Sequence, residues 1–384
     1  MCARRCVAAV LMAGGLAACS SRGGPTAISS VPASAGGSVT APLSTSVAAP
    51  SGVWATVPMG RLDDPANTFW EAFSLPDGAD QWVERTPPDV ADNGGLVSAP
   101  TPNGMVFGFR PSDELHFSPL ASTTDSGATY SAGLLPAGLA DVPDALSVAP
   151  GGHAAALTAN EVLTSASTLS AWQPAATLAT LAASPAGLAC GVRQLTAVTA
   201  TDTGAFIGVV CSAPGVVGLL QQSGSTFHAV GPHLPAADVN DRIAVLRLVH
   251  DGKGIAALLG VTAGGATRYV AAWNSDPGSA AWTLSAALNA RGQLTSTAVT
   301  SGGGFAVLTT SMSGALSAAV IGGAGADWAQ LAAPPAGTAT VSVSNSRTDA
   351  LGVDGETFTD YRLEGANWIK IQTAQVAIPY GSSG

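Results

Sequence analysis

Asn103-Gly104-Met105-Val106-Phe107-Gly108-Phe109 sets a tight-turn dipeptide ahead of a short apolar run. Asn and Gly tolerate the positive φ that a two-residue hairpin turn demands, and the run after them has the length of a strand. The same punctuation returns at Gly151-Gly152, Thr203-Gly204, Asp251-Gly252, Gly302-Gly303 and Ser346-Arg347, at intervals of 44 to 52 residues. Strand-like runs such as Ala145–Ala149, Ala244–Val249 and Thr340–Ser344 precede these turns. Others, such as Ala205–Val210 and Phe305–Thr309, follow them. A second mark keeps the same beat: Trp82, Tyr130, Trp172, Phe227, Trp282, Trp328 and Trp368 each stand at a short strand-like run. With Gly 46 and Pro 25 in 384 residues, breakers come too densely for long helices, and no helical period is sustained.

A recurring unit of about 50 residues, with four strands and one aromatic near the last, predicts an all-β fold. The expected form is a single β-propeller of about seven four-stranded blades, with six as the alternative count. Two closures fit the pattern. Ser51-Gly52 supplies the first blade's own turn, or Ala374–Pro379 lends that blade an inner strand from the C-terminal end.

Charged residues make up 10% of the chain, the net charge is −10, and Lys253 and Lys370 are its two lysines. Phosphate backbones are held by clustered Lys and Arg, so nucleic acid is excluded as a partner.

Arg4-Arg5 precede an apolar stretch from Val7 to Ala18, right for a signal-peptide core and too short to span a bilayer. The stretch ends in Leu16-Ala17-Ala18-Cys19, which resembles the bacterial lipobox. That resemblance implies cleavage before Cys19, acylation of its thiol (palmitate among the acyl chains), and a lipoprotein anchored on the extracytoplasmic face of the cell membrane. The expected divisions are 1–18 as signal peptide, 19–50 as a flexible Ser/Ala/Gly/Pro tether, and 51–384 as the propeller. The last tether residues are open to belonging to the first blade. With Cys2 and Cys6 removed and Cys19 acylated, Cys190 and Cys211 remain as one disulfide. Both are expected on neighbouring antiparallel strands, brought opposite each other by a bulge or a small register offset.

Thr123-Thr124-Asp125-Ser126-Gly127-Ala128-Thr129-Tyr130 resembles the Asp box, or BNR repeat, of sialidase-like propellers. The resemblance implies a structural role for Asp125, Gly127, Thr129 and Tyr130, away from the catalytic face. The catalytic motifs of sialidases are not matched. There is no Arg-Ile-Pro element, Arg110-Pro111 stands too close to Asp125, and Tyr269, Tyr361 and Tyr380 have no evident Glu partner. No His-Glu-x-x-His, Gly-x-Ser-x-Gly or Walker pattern occurs, and His116, His153, His228, His233 and His250 are scattered. No catalytic residue, metal or cofactor is therefore assigned. Over nearly its whole length the chain resembles exported actinobacterial propeller lipoproteins.

Propellers bind through the loops from each outer strand to the next inner strand, and through those between second and third strands. These segments and their neighbours hold Asp89, Asp92, Arg110, Asp113, Asp141, Asp144, Asp238 and Asp241, read together as an acidic funnel mouth. The expected function is a non-catalytic binding or scaffold module for an envelope protein or glycan. One alternative is a propeller glycoside hydrolase or lyase, which needs two carboxylates within about 5–10 Å. The other is an accessory subunit of a membrane complex.

Overall fold

Runs rich in Ala, Val, Thr and Ser between turn residues become strands because small and β-branched side chains suit crowded sheets buried on both faces. The computed structural model describes residues 44–378 except 65–66, 89, 91–92, 111–115, 167–170, 236–240, 251–253 and 278–280. In chain order the first group of strands is β1 (Thr45–Ala49), β2 (Gly52–Gly60), β3 (Thr68–Pro76) and β4 (Val83–Glu84). The second is β5 (Leu96–Thr101), β6 (Gly104–Phe109), β7 (Ser118–Thr123) and β8 (Ser131–Leu135). The third is β9 (Leu146–Val148), β10 (Ala154–Leu157), β11 (Glu161–Ser165) and β12 (Gln173–Thr177). Two short helices follow, α1 (Leu178–Ala183) and α2 (Pro185–Cys190). The fourth group is β13 (Val192–Thr201), β14 (Gly204–Cys211), β15 (Gly218–Ser223) and β16 (Thr226–Ala229). The fifth is β17 (Arg242–His250), β18 (Ile255–Ala263), β19 (Ala266–Asn274) and β20 (Thr283–Leu284). The sixth is β21 (Gln293–Val299), β22 (Phe305–Thr310), β23 (Leu316–Ile321) and β24 (Ala329–Gln330). The seventh is β25 (Thr338–Val343), β26 (Thr348–Asp354), β27 (Thr357–Glu364) and β28 (Asn367–Gln375).

Within each group, successive strands pair antiparallel. β1 also pairs in parallel with β21, through Thr45–Thr297, Ser46–Ala298 and Val47–Val299. This joins the first and sixth groups into one eight-stranded sheet beside five four-stranded ones. The seventh group lies against β1 and β2 on one side and β21 and β22 on the other. The hydroxyls of Ser296 and Thr340, 2.6 Å apart, bridge β21 to β25. β17, β21 and β25 each carry one single-residue register shift against their second strands, and β13 carries two, the kind of bulge that sharpens twist.

The periodic aromatics stitch neighbouring groups together. Trp282 Nε1 donates to Val230 O at 2.9 Å, Trp328 Nε1 to Ala286 O at 3.1 Å, and Trp368 Nε1 to Ala332 O at 3.0 Å. The Tyr130 hydroxyl donates to Arg85 O in the same way. Each acceptor lies just beyond the fourth strand of the preceding group. An amphipathic ring thus fills the space between two sheets while its polar edge satisfies a carbonyl. Trp82 meets the seventh group differently: its backbone N and O exchange hydrogen bonds with the Gln372 amide, both at 2.9 Å.

Two open choices are settled and one expectation changes. β28 pairs with β27 alone, so Ala374 and Gln375 do not complete the first group, which turns through Pro50–Ser51 instead. β1 begins at Thr45, inside the stretch read as tether. Cys190 is bonded to Cys211, with the Cα atoms 4.9 Å apart, but it ends α2 rather than sitting in a strand. The helices form on local capping. Thr177 Oγ1 accepts from Thr180 N at 3.0 Å, and Ser184 Oγ accepts from Gly187 N at 3.0 Å. Gly191, at φ 66°, ends α2 and turns the chain into β13. Among the described residues no helix is long and apolar enough to cross a membrane.

Candidate binding site

Alternating strand directions give each group two rims. Turns joining first to second and third to fourth strands lie on one, called here the turn rim. Second-to-third connections and the links between groups lie on the other, the loop rim. The acidic mouth was expected on the loop rim. Asp89, Asp92, Asp113 and Asp238 lie outside the described residues. The three described aspartates are each half of an arginine pair. Asp141 meets Arg110 Nη1 at 2.9 Å, and Asp241 meets Arg268 Nη2 at 2.5 Å. Asp144 is buried against Arg247. Asp144 and Asp241 are buried, and a buried carboxylate is tolerated when a cation and hydrogen bonds replace its water. The three described aspartates of the expected mouth are therefore neutralised by arginine partners.

Arg247 interrupts the apolar run Val245-Leu246-Arg247-Leu248-Val249 of the strand-like segment Ala244–Val249. Leu246 is the extra residue at the β17 bulge. Arg247 Nε reaches both carboxylate oxygens of Asp144, at 2.9 and 3.0 Å, and Nη2 lies 2.9 Å from Oδ1. Nη1 donates to Thr297 Oγ1 and O, at 3.2 and 3.3 Å. Asp144 Oδ2 also accepts from Leu248 N at 2.6 Å, and its backbone O from Val198 N at 2.9 Å. One pair thereby braces the third, fourth, fifth and sixth groups. A lone Arg in an apolar strand was the available signal, because arginine is rarely fully buried without a partner.

The larger cavity opens on the turn rim. It holds about 610 Å³ and is framed by first-hairpin residues of six groups. Ala48–Pro50, Pro100–Pro102, Val148 with Pro150, Val249–His250, Val299–Ser301 and Ser344–Ser346 line it, with Asp77. Ser301 Oγ donates to Asn345 Oδ1 at 2.8 Å between the sixth and seventh groups. A neighbouring hollow of about 310 Å³ lies between the second and third groups, at Pro102–Asn103, Ser122–Thr124 and Pro150–Gly152.

Asp125 sits on the same rim, in the turn between β7 and β8. Its carboxylate accepts from Thr129 Oγ1 at 2.6 Å, Thr129 N at 2.9 Å and Thr123 Oγ1 at 2.8 Å. These bonds, those from Thr129 foremost, hold its pKa down to about 2. Gly127 has φ +84°, and a Cβ there would lie 2.7 Å from Arg85 Cδ and 2.8 Å from the Tyr130 hydroxyl. Burial pushes the Tyr130 phenol well above its ordinary range. All four residues are engaged in shaping this turn and its contact with the first group. Among the described residues no three His, Cys, Asp or Glu side chains gather as a metal ion requires.

No family model matches the sequence, and neither does any curated protein. Solved structures do match. The GH74 xyloglucanase from Xanthomonas campestris is 13% identical with a TM-score of 0.50, covering 90% of this chain and 53% of its own. This chain thus spans about half the length of that enzyme. A 6-phosphogluconolactonase candidate from Bacteroides fragilis is 10% identical with a TM-score of 0.50, covering 86% and 97%. The six-bladed fucose lectin of Aleuria aurantia is 12% identical with a TM-score of 0.44, covering 78% and 97%. At such identities similarity speaks for fold alone. With the repeated four-stranded sheets, it identifies a β-propeller.

Proposed function

We propose that this chain is a lipid-anchored, seven-bladed β-propeller of the bacterial cell envelope, holding a glycan or protein partner in its turn-rim cavity without catalysis. Seven four-stranded groups, with the last seated between the first and the sixth, support seven blades and a closed ring. The cavity carries the binding reading. Pro50, Pro100, Pro102 and Pro150 offer rigid apolar walls, while Thr300, Ser301, Asn345 and His250 bring hydroxyl, amide and imidazole groups. That mixture suits the faces and hydroxyls of a sugar or the backbone of a peptide. A hydrolase working by a carboxylate pair needs two such groups about 5–10 Å apart. Asp77 is the single carboxylate among the described lining residues, which favours binding over hydrolysis.

A photo-crosslinking residue at Asn345, in tagged protein in intact cells, is expected to capture a partner that the same residue at Ile369 on β28 does not. Equal capture from both positions, or capture from neither, removes the cavity as the binding surface. Cys19→Ser is expected to release the protein from the membrane fraction, and unchanged fractionation would remove the anchor.

A further inference from the structure

We propose that the loop rim rests on the lipid bilayer itself, with Leu62, Phe117, Leu188, Val216 and Met312 as its apolar contacts and the cavity rim facing away. This builds on the lipid-anchor reading and adds to it a side and a set of contacts. The first observation is where exposed apolar side chains fall. Among the described residues, Val83, Leu134 and Ile369 are exposed on the outer strands β4, β8 and β28. The other five large exposed apolar residues all belong to the loop rim. Leu62, Phe117, Val216 and Met312 lie in second-to-third-strand connections of the first, second, fourth and sixth groups, and Leu188 lies on α2 between the third and fourth. Met312 is wholly exposed and Leu188 is 71% exposed. Single exposed apolar residues are ordinary on a surface. Their spacing around one rim, with none in the cavity turns, is what distinguishes these.

The second observation is the direction of the chain. β1 runs toward its turn at Pro50–Ser51, so the chain reaches Thr45 from the loop-rim side. Cys19 stands 25 residues before Ser44, and an acyl chain on it would tether the propeller by this rim. Apolar side chains entering the interface would add the second hold that a lipid-anchored protein needs for stable attachment. Arg110 and Arg268 face Asp141 and Asp241, and neither lysine belongs to a loop-rim segment. Arg61 and Arg291 also stand on this rim, but with Asp63, Asp64, Asp141 and Asp241 among them the arginines form no polybasic cluster of the kind that selects anionic lipid. The contact is therefore apolar, and zwitterionic lipid suffices for it.

The test labels Leu62→Cys, Met312→Cys and, on the cavity rim, Ser346→Cys with a polarity-sensitive fluorophore in the full acylated chain on phosphatidylcholine vesicles. Labels at 62 and 312 are expected to shift to the blue. Lipids brominated along the acyl chain should quench them several-fold more than the label at 346. Equal quenching at all three positions on vesicle-bound protein overturns the rim contact and leaves the anchor standing. A chain that stays off the vesicles altogether overturns both.

Discussion

Replacing Arg247 by Leu is expected to destabilise the protein by about 3–5 kcal/mol, the cost of breaking a buried ion pair from one side. The structure decides which class of pair this is. The Arg247 and Asp144 side chains are 3% and 11% exposed, so water and salt screen them little, and the 0–1 kcal/mol typical of surface pairs does not apply. Leu at 247 would leave the Asp144 carboxylate buried with the Leu248 backbone amide as its remaining described donor. It would also take from Thr297 both of its bonds to the guanidinium. Denaturant unfolding with the disulfide intact measures the loss. The double variant Arg247→Leu/Asp144→Asn removes the stranded charge while keeping an oxygen for the Leu248 amide, and should recover more than half of it. A single variant that loses less than about 1 kcal/mol, or a double variant no better than the single, refutes the claim that this pair braces the sheets.

Asp349 and Asp360 are buried beside Arg347, and burial raises both, Asp360 to about 7. An unfolded aspartate loses its proton near pH 4, so the folded state binds more protons between about 4 and 7. Stability from these groups is full below about 4 and is lost as pH rises through about 7. Melts near pH 5 should exceed those near pH 8, and Asp360→Asn should flatten the difference; a melting point that climbs toward pH 8 contradicts this. Replacing both Cys190 and Cys211 by Ser opens a link spanning 21 residues and should cost about 3 kcal/mol, matched by adding reductant to the unaltered protein. At Gly208 a Cβ would stand 2.9 Å from Val245 Cβ and 3.2 Å from Ala197 Cβ. Gly208→Ala should therefore cost about 1–3 kcal/mol by prising the fourth and fifth groups apart, and an unchanged melting point would show that the interface yields.

The turn dipeptides and the seven aromatics were legible before any coordinates, because turn chemistry and strand length are properties of a few consecutive residues. Asn103, Gly151–Gly152 and Thr203 fall in hairpin turns, and each aromatic stands in or just before a fourth strand. The pairing of Cys190 with Cys211 followed from counting thiols. The helix that carries Cys190 did not, since two six-residue helices held by Thr177 and Ser184 caps have no period long enough to read. Asp144 and Arg247 were visible as residues but not as partners. Their meeting across 103 positions, like the β1–β21 pairing, depends on how whole sheets stack. The same holds for the cavity, whose wall is assembled from hairpin ends more than 200 residues apart along the chain. Local chemistry set the repeat. Packing between repeats decided which charges were neutralised and which rim was left hollow.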